Sequence, residues 1–472
     1  MRSAGSIALA FCLCACSFPA PPALLPPPFG PDPQKPEPAH FFFPTGIAVD
    51  STGQWLLVAN SNSDHAYDAG AVYALRVSSL LPHFGTQPPS GDVDFPIGAL
   101  AGTAMIGNYA GPLLVAGTTA YTGSRDTNRL NAVVLDPATG SLSCRTAAGT
   151  DAGNQDCRGG IVDLGAAASV EGPFGLAQGK VRPIGAPADI DALLVSALIP
   201  HIDTIVSGVA FSSSHLAALD TRDPSQVLFS ATVTDRLNGA GIGASNIVYD
   251  ERRREVILSG CYQRFANVSQ GGDPSSGKCG TGGLNLLRFV PVDAGAAAVS
   301  RLYDLGVDLH TVETDGLALA DFDPATAART LYVTTRNPDL LARIGVPDEP
   351  GLAPEVMRAI PLPSQPSQIL RLARPAGATG GDLLVVTTLS IYQTSTVFGR
   401  LILVAGTLGR VVGQIDGLGD TPYAMAQLPP QAGDTSARLA VSVFGSCRVS
   451  LVEVPYDNPT QVSLRANLGK CP

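Results

Sequence analysis

The chain is poor in charged and in aromatic residues, and it carries more acid than base. Asp, Glu, Lys and Arg supply 15% of its 472 residues, Phe, Trp and Tyr supply 6%, and the formal net charge is −10. Nucleic-acid binding requires clusters of Lys and Arg. The longest basic run, Arg252-Arg253-Arg254, is better explained as the solvated tip of a hairpin. The composition therefore argues against a nucleic-acid partner.

The sequence also lacks the short motifs that mark common catalytic centres. It has no Gly-x-Ser-x-Gly elbow, no His-Glu-x-x-His pair and no Walker loop. One stretch, 239–244, fits Gly-x-Gly-x-x-Ala, but it precedes an expected strand and opens no helix that could hold a pyrophosphate. The single tryptophan, Trp55, heads an apolar segment and is expected in the core rather than on a sugar-binding surface. These absences favour binding over catalysis.

Residues 1–15 have the features of an export signal. Arg2 gives a minimal positive region, and the apolar run 7–13 is far too short to span a bilayer. It ends in Leu13-Cys14-Ala15-Cys16, which resembles a bacterial lipobox, in which a small residue precedes the lipidated cysteine. The resemblance implies acyl chains on Cys16 and an anchor in the membrane of the bacterial cell envelope. Ser17 at the next position favours the outer membrane, on its periplasmic or surface face; the alternative is an ordinary secretory signal.

Residues 16–40 are predicted to be a tether. Ten prolines fall within the 24 residues from Ser17 to His40. Such a stretch forms neither a helix nor a sheet ladder and prefers polyproline II. Fully extended at about 3.1 Å per residue, it would hold the folded domain roughly 70 Å from the lipid.

The remaining cysteines indicate an oxidising compartment. Once the three in the signal region are set aside, six of the nine cysteines remain, and an even number in an exported chain implies disulfides. They fall into three local couples, separated by 13, 18 and 24 residues: Cys144 with Cys157, Cys261 with Cys279, and Cys447 with Cys471. Each loop should contribute roughly 3 kcal/mol in the chain-entropy model. None has CxxC spacing, so zinc is not expected.

A repeat dominates the rest of the chain. A short apolar segment recurs seven times, each followed by a Leu/Val-rich segment, and no window sustains an apolar period of 3.6 residues. The seven segments begin near 43–50, 97–99, 174–176, 246–248, 315–319, 368–370 and 422–425. Short strands that recur at the spacing between these seven starts predict an all-β fold. The specific prediction is a seven-bladed β-propeller over 41–472, with six or eight blades as alternatives.

The first repeat supports this fold by resemblance. Its sequence, Pro-x-Gly-Ile-Ala-Val-Asp at 44–50, a glycine turn, and Leu-Leu-Val-Ala-Asn at 56–60, resembles the YVTN/NHL-type β-propeller repeats of bacterial surface and periplasmic proteins. The resemblance is good over 43–80 and loose elsewhere. It implies four strands, a to d, in each blade, and a binding face formed by the b–c and d–a loops at the mouth of the central channel.

On that face the sequence predicts polar residues from most blades. The candidate channel-mouth residues are Asn60, Asp64, His65, Arg125, Asp203, Arg264, Arg336, Gln368 and Tyr423. Two b–c connections, the apolar 201–211 and the 261–279 excursion between two cysteines, are suited to partner recognition because such loops project from a rigid scaffold.

A metal site is the competing expectation. Sugar-lactone-hydrolysing propellers of the regucalcin type hold a divalent cation with Glu, Asn and Asp, and Glu171, Asn246 and Asp315 lie near corresponding repeat starts. The resemblance implies Ca²⁺ or another divalent ion, although Ca²⁺ needs six to eight oxygens. No other cofactor is expected. The sequence therefore predicts a lipid-anchored binding or assembly scaffold with an envelope protein as partner, and a lactonase-like hydrolase is the alternative.

Overall fold

The fold is described from a computed structural model. It describes residues 24–29, 38–85, 93–147, 149–206, 209–233, 243–260, 262–265, 275–278, 286–292, 301–311, 313–325, 327–349, 352–363, 365–374, 381–389, 399–431 and 433–471. Cys16, Cys261 and Cys279, and the side chain of Arg264, lie outside this part of the chain.

In the part of the chain that the structure describes, seven antiparallel sheets of four or more strands follow one another along the sequence, and separate two-stranded pairs interrupt the third and the fourth. Blade 1 comprises β1 (Pro44–Val49), β2 (Trp55–Asn60), β3 (Gly70–Arg76) and β4 (Leu100–Ile106). Blade 2 comprises β5 (Leu114–Ala116), β6 (Thr119–Ser124), β7 (Arg129–Leu135), β8 (Leu142–Thr146), β9 (Gly149–Asp151) and β10 (Val162–Asp163). Blade 3 comprises β11 (Glu171–Val181), β12 (Ile190–Ile199), β13 (His201–Val206), β14 (Val209–Ser213), β15 (His215–Asp220) and β16 (Val227–Thr232).

The other four blades follow the same plan. Blade 4 comprises β17 (Asn246–Asp250), β18 (Glu255–Ser259), β19 (Tyr262–Phe265), β20 (Ser275–Lys278), β21 (Leu286–Pro291) and β22 (Arg301–Asp304). Blade 5 comprises β23 (Glu313–Asp323), β24 (Ala328–Arg336), β25 (Leu340–Pro347) and β26 (Glu355–Pro361), and blade 6 comprises β27 (Pro366–Arg371), β28 (Leu383–Thr388), β29 (Gly399–Ala405) and β30 (Arg410–Gly419). Blade 7 comprises β31 (Pro422–Gln427), β32 (Ser436–Val443), β33 (Arg448–Pro455) and β34 (Ser463–Leu468).

The helical elements are short and lie in connections. They are α1 (Val77–Leu80), α2 (Leu164–Ala168), α3 (Leu305–Leu309) and 3₁₀ turns at Leu81–Phe84, Ile97–Ala99, Phe444–Ser446 and Pro459–Gln461. In the described part of the chain, no helix has the length and apolar character needed to cross a bilayer.

The innermost strands of neighbouring blades contact one another around the ring, from β1 through to β31 and back to β1. The prediction of an all-β, seven-bladed propeller is therefore confirmed. The connections 201–211 and 261–279 were expected between strands b and c, and there the structure has two-stranded hairpins, β13–β14 in blade 3 and β19–β20 in blade 4.

Six of the seven predicted repeat starts fall in inner strands, and the second is wrong. Residues 97–99 form a 3₁₀ turn that leads into β4, the outer strand of blade 1, while blade 2 begins at β5. The error has a physical cause. The c–d connection of blade 1 is long and holds helical turns, so its outer strand stands apart from β3 in the sequence and has the apolar pattern of a new repeat.

The core lies between the faces of adjacent sheets. Trp55 is fully buried between blades 1 and 2, and its indole Nε1 donates a 2.9 Å hydrogen bond to the carbonyl of Pro137, which confirms its predicted place in the core. The Trp55 ring lies against Gly140, where a Cβ would come within 2.4 Å of it and where φ is +80°. Glycine is needed at this turn on both counts.

Blades 1 and 7 close the ring without a shared strand. The inner strand β1 contacts β31 and β32, and Val93, in the c–d connection of blade 1, forms a parallel bridge with the outer strand β34. The amide of Val93 donates a hydrogen bond to the carbonyl of Asn467, and the carbonyl of Val93 accepts one from the amide of Gly469, both at 2.8 Å. Beside this bridge, the fully buried Phe41 packs edge-on against Phe95, with ring centroids 4.9 Å apart.

Among the described cysteines, two disulfides are present, Cys144–Cys157 in blade 2 and Cys447–Cys471 in blade 7. Both join cysteines that the sequence pairs locally. Cys447 precedes β33 and Cys471 follows β34, so this bond fixes the chain end that carries the outermost strand of blade 7.

Part of the predicted tether is docked on blade 1 instead of standing free. Pro26 and Pro27 are buried. The Tyr73 hydroxyl donates a 2.7 Å hydrogen bond to the Pro27 carbonyl, and the Asp68 amide donates one of 2.7 Å to the carbonyl of Leu24. Prolines lack an amide donor but keep a carbonyl acceptor, so a blade edge can still bind them through its own donors.

We expect Phe41→Ala to lower the free energy of unfolding by about 3–5 kcal/mol, because it empties a fully buried site at the ring closure. Urea unfolding of the full chain measures this loss. The matched control is Phe322→Ala, which removes a half-buried ring stacked under Arg252 at 3.7 Å and should cost only about 1 kcal/mol. Equal losses in the two variants would contradict the role of Phe41 in closure.

Candidate functional site

A cavity of about 220 Å³ opens at one end of the central channel. It is lined by Arg125, Phe174, Leu198, Ser245, Glu313, Asp315, Arg336, Ser367, Gln368, Leu389 and Tyr423. These residues lie where inner strands begin or where second strands end. Strands run antiparallel within each blade, so both kinds of position reach the same face.

The predicted channel-mouth residues Arg125, Arg336, Gln368 and Tyr423 line this cavity, as does Asp315 from the predicted metal set. The other predicted residues whose side chains the structure describes do not line it. Among them, Asn60 is fully buried, where its Oδ1 accepts a 3.1 Å bond from the amide of Phe42, a structural role.

One wall of the cavity is a buried ion-pair network. Arg336 pairs with Glu313 at 2.9 Å and with Asp315, and its Nε donates to the Pro366 carbonyl at 3.0 Å. The Asp315 carboxylate also accepts from the Ser367 hydroxyl at 2.9 Å. A guanidinium with two carboxylates and a backbone acceptor fixes the ends of blades 5 and 6 with little freedom.

The expected metal ligands do not fit a divalent cation. Asn246 and Asp315 do meet, but through a 2.8 Å hydrogen bond in which the Asn246 amide nitrogen donates to Asp315 Oδ1. Arg336 already supplies the positive charge that Asp315 faces. Glu171 bonds instead to His201 Nδ1 at 2.7 Å. Within the described residues, no group of three or more His, Cys, Asp or Glu side chains is arranged to hold a metal ion.

The opposite wall is aromatic and holds Arg125. The guanidinium lies 5.5 Å from the ring centroid of Tyr109 and 5.4 Å from that of Phe174, and its Nε donates a 3.1 Å hydrogen bond to the Tyr109 carbonyl. Phe174 in turn packs edge-on against Tyr423 at 6.4 Å. Cation–π contacts on two sides orient the guanidinium without neutralising its charge.

The phenol of Tyr423 stays protonated. Burial is the main cause that raises its pKa far above the usual 10.0, and the nearby Asp315 adds to it, while Arg125 and Arg336 act in the opposite direction. Its hydroxyl is therefore a neutral group over the physiological range.

His65 and Asp64 lie in the b–c loop of blade 1, on the channel-mouth face. His65 Nε2 lies 2.6 Å from the hydroxyl of Tyr109, so this loop supports the aromatic wall through a side-chain hydrogen bond. Asp64 is exposed and its carboxylate accepts from the Ala66 amide at 3.2 Å within the same loop.

A second polar cluster lies at the base of the β13–β14 hairpin of blade 3. The Ser213 hydroxyl donates to Asp203 Oδ1 at 2.8 Å and lies 2.8 Å from His215 Nε2. His201 and His215 have ring centroids 6.2 Å apart. The hairpin is thus joined to the blade by side-chain hydrogen bonds as well as by its backbone.

This cluster contains Ser, His and Asp, but not in the order of a nucleophilic triad. In such a triad the histidine separates the carboxylate from the serine and accepts the serine proton. Here Ser213 lies between the other two side chains, and its hydroxyl donates a hydrogen bond to Asp203. Because that hydroxyl has only one hydrogen, it must accept the second hydrogen bond from His215 Nε2. The arrangement orders a hairpin and does not activate a nucleophile.

Several important residues were missed by sequence reasoning. Tyr109, Phe174, Glu313, Ser367 and Ser213 build the walls and the cluster, and none of them was predicted as a site residue, although Phe174 opens the third predicted repeat. One signal was available, since Glu-x-Asp at 313–315 opens an inner strand, and Arg336 ends the strand that pairs with it.

No protein-family model matches the chain, and no curated protein matches it. Distant likenesses exist among solved structures. Hydrazine synthase of Kuenenia stuttgartiensis matches over 88% of this chain and 97% of that chain, with 9% identity and a TM-score of 0.47. The Cps50 (Swd1) β-propeller domain of Myceliophteria thermophila matches over 88% and 96%, with 9% identity and a TM-score of 0.48. Saccharomyces cerevisiae Sqt1 matches over 88% and 97%, with 10% identity and a TM-score of 0.45.

We expect Arg336→Met to lower the free energy of unfolding by about 3–5 kcal/mol, because it leaves Glu313 and Asp315 without their cation in a buried wall. Chemical unfolding of the full chain measures the loss. The control is Arg222→Met, whose side chain is 74% exposed in its pair with Asp220 and should cost about 1 kcal/mol or less. A loss at Arg336 no larger than at Arg222 would contradict a structural network.

We expect blade 3 to lose stability in acid through His215. Burial lowers the pKa of His215 below its usual 6.5, more than Asp203 raises it. The folded state then binds fewer protons than the unfolded one, so stability is complete above the unfolded value of 6.5 and is lost as pH falls towards the folded value. Hydrogen exchange of β15, compared at about pH 7.5 and about pH 5.5, measures this.

The His215→Gln variant should lose this pH dependence, since glutamine does not titrate. His65→Gln, in blade 1, should retain it. An unchanged acid response of β15 in His215→Gln would show that another group is responsible.

Proposed function

We propose that this chain is a bacterial envelope lipoprotein of the YVTN/NHL type, anchored through acyl chains on Cys16, whose propeller binds a protein partner on the channel-mouth face. The lipobox-like Leu13-Cys14-Ala15-Cys16 supports the anchor, and its Ser17 supports the outer membrane. The two disulfides suit an oxidising compartment.

The observation that carries the proposal is the makeup of this face. A cavity with fixed walls lies at its centre, and the β13–β14 hairpin forms part of the b–c side of blade 3. Binding sites are commonly built from connections that a rigid scaffold positions. A propeller provides such a scaffold, because its blades pack tightly and only its loops vary.

Site-specific photo-crosslinking in living cells tests the proposal. A photoreactive residue replaces the exposed Asp64 or Asp203, both on the channel-mouth face, or the exposed Leu408 in the c–d turn of blade 6, on the opposite face. We expect one and the same protein to be captured from the first two positions and not from Leu408. Capture from all three alike, or from none, would contradict the proposal.

The anchor has its own test. Radiolabelled palmitate should be incorporated into the wild type and not into Cys16→Ala, and fractionation should move the variant out of the membrane. Incorporation by Cys16→Ala would exclude Cys16 as the acceptor.

A further inference from the structure

Arg125 is oriented but not neutralised. Two aromatic rings lie against its guanidinium, its Nε donates to the Tyr109 carbonyl, and the residue lines the cavity. Within the residues that the structure describes, no carboxylate forms an ion pair with it. A half-buried guanidinium of this kind keeps its terminal N–H donors for a ligand.

The other charged groups in the cavity bond to one another. Glu313 and Asp315 both contact Arg336, and Asp315 accepts further bonds from Ser367 and Asn246. Counted with Arg336, the two acids leave one negative charge, and Arg125 forms an ion pair with neither acid. A monoanion paired with Arg125 is therefore tolerated, whereas a dianion such as a phosphate would face two carboxylates and only one uncommitted cation.

The space beside Arg125 is apolar and small. The apolar part of the cavity lining is Phe174, Leu198, Leu389 and Tyr423, with Gln368 and Ser245 as polar groups, and the charged wall of Glu313, Asp315 and Arg336 bounds the same cavity. A cavity of about 150 Å³ lined by apolar side chains takes up benzene. The 220 Å³ found here suits a group somewhat larger than that, such as a leucine-sized side chain together with its carboxylate.

We propose that this cavity is a carboxylate-binding site in which Arg125 pairs with the anion and the Phe174–Tyr423 side receives a short apolar group. The proposal deepens the proposed function, on which it rests in taking the carboxyl group of a partner protein as the source. A free small carboxylic acid offers the same chemistry, and the test separates the two.

The first arm uses simple probes on the full-length protein in detergent. Hexanoate should bind and its neutral counterpart hexanamide should bind at least about tenfold more weakly, because a charge-assisted pair is lost. Ligand-observed NMR titration measures both. Equal affinity for the two probes, or no binding of hexanoate, would overturn the proposal.

The second arm uses variants. Arg125→Gln should weaken hexanoate binding about tenfold or more, with Arg125→Lys intermediate because lysine keeps the charge but not the planar fork. The matched control is Arg410→Gln, an exposed arginine at the c–d turn of blade 6 on the opposite face, which should bind as the wild type does. Wild-type affinity in a folded Arg125→Gln, its melting temperature unchanged, would overturn the proposal.

The third arm identifies the source. Acetyl-Gly-Gly-Leu with a free carboxyl terminus should bind more tightly than hexanoate and more tightly than its amide if a partner chain supplies the carboxylate. Tight hexanoate binding with exclusion of the peptide would assign the site to a free acid. Photo-crosslinking that persists in Arg125→Gln would leave the protein-binding function standing and overturn its link to this cavity.

Discussion

Closure of the ring is the constraint on which the rest of the molecule depends. Blades 1 and 7 come from opposite ends of the chain and share no strand, so side-chain packing and a short backbone bridge must join them. Phe41 and the Val93–Leu468 bridge lie at that junction, and the Cys447–Cys471 bond fixes the adjacent strand end. The junction completes the ring of inner strands around the channel, and the cavity is made of the ends of those strands.

The cavity, like the ring closure, depends on contacts between blades. Its walls are held by interactions that cross between blades, such as Arg336 with the Pro366 carbonyl and Phe174 with Tyr423. In one wall Arg336 pairs with two carboxylates, while Arg125 is held by rings that leave its charge available. A site of this design recognises charge with little reorganisation, because its groups are already in position before the ligand arrives.

Sequence reasoning recovered the fold because the propeller repeats a local pattern, and the repeat starts near 315–319 and 368–370 fall in the inner strands of blades 5 and 6. It failed at 97–99, where a long connection separated one strand from its own blade. The cavity could be predicted only in part. Arg125, Arg336, Gln368 and Tyr423 were placed on this face because strand ends share it. The ion pairs of Arg336 depend on the register of β23 against β24, and the ring contacts of Phe174 join blades that are far apart in sequence.

The docked segment 24–29 also sets how far the propeller can stand from a bilayer. Leu24 is bonded to Asp68, in a loop on the same face as the cavity. Leu24 is eight residue steps along the chain from Cys16, and a fully extended chain of that length spans at most about 29 Å. For a protein acylated at Cys16, the mouth of the channel would be held near the lipid headgroups, so its partner would have to approach through a gap about as wide as one small domain.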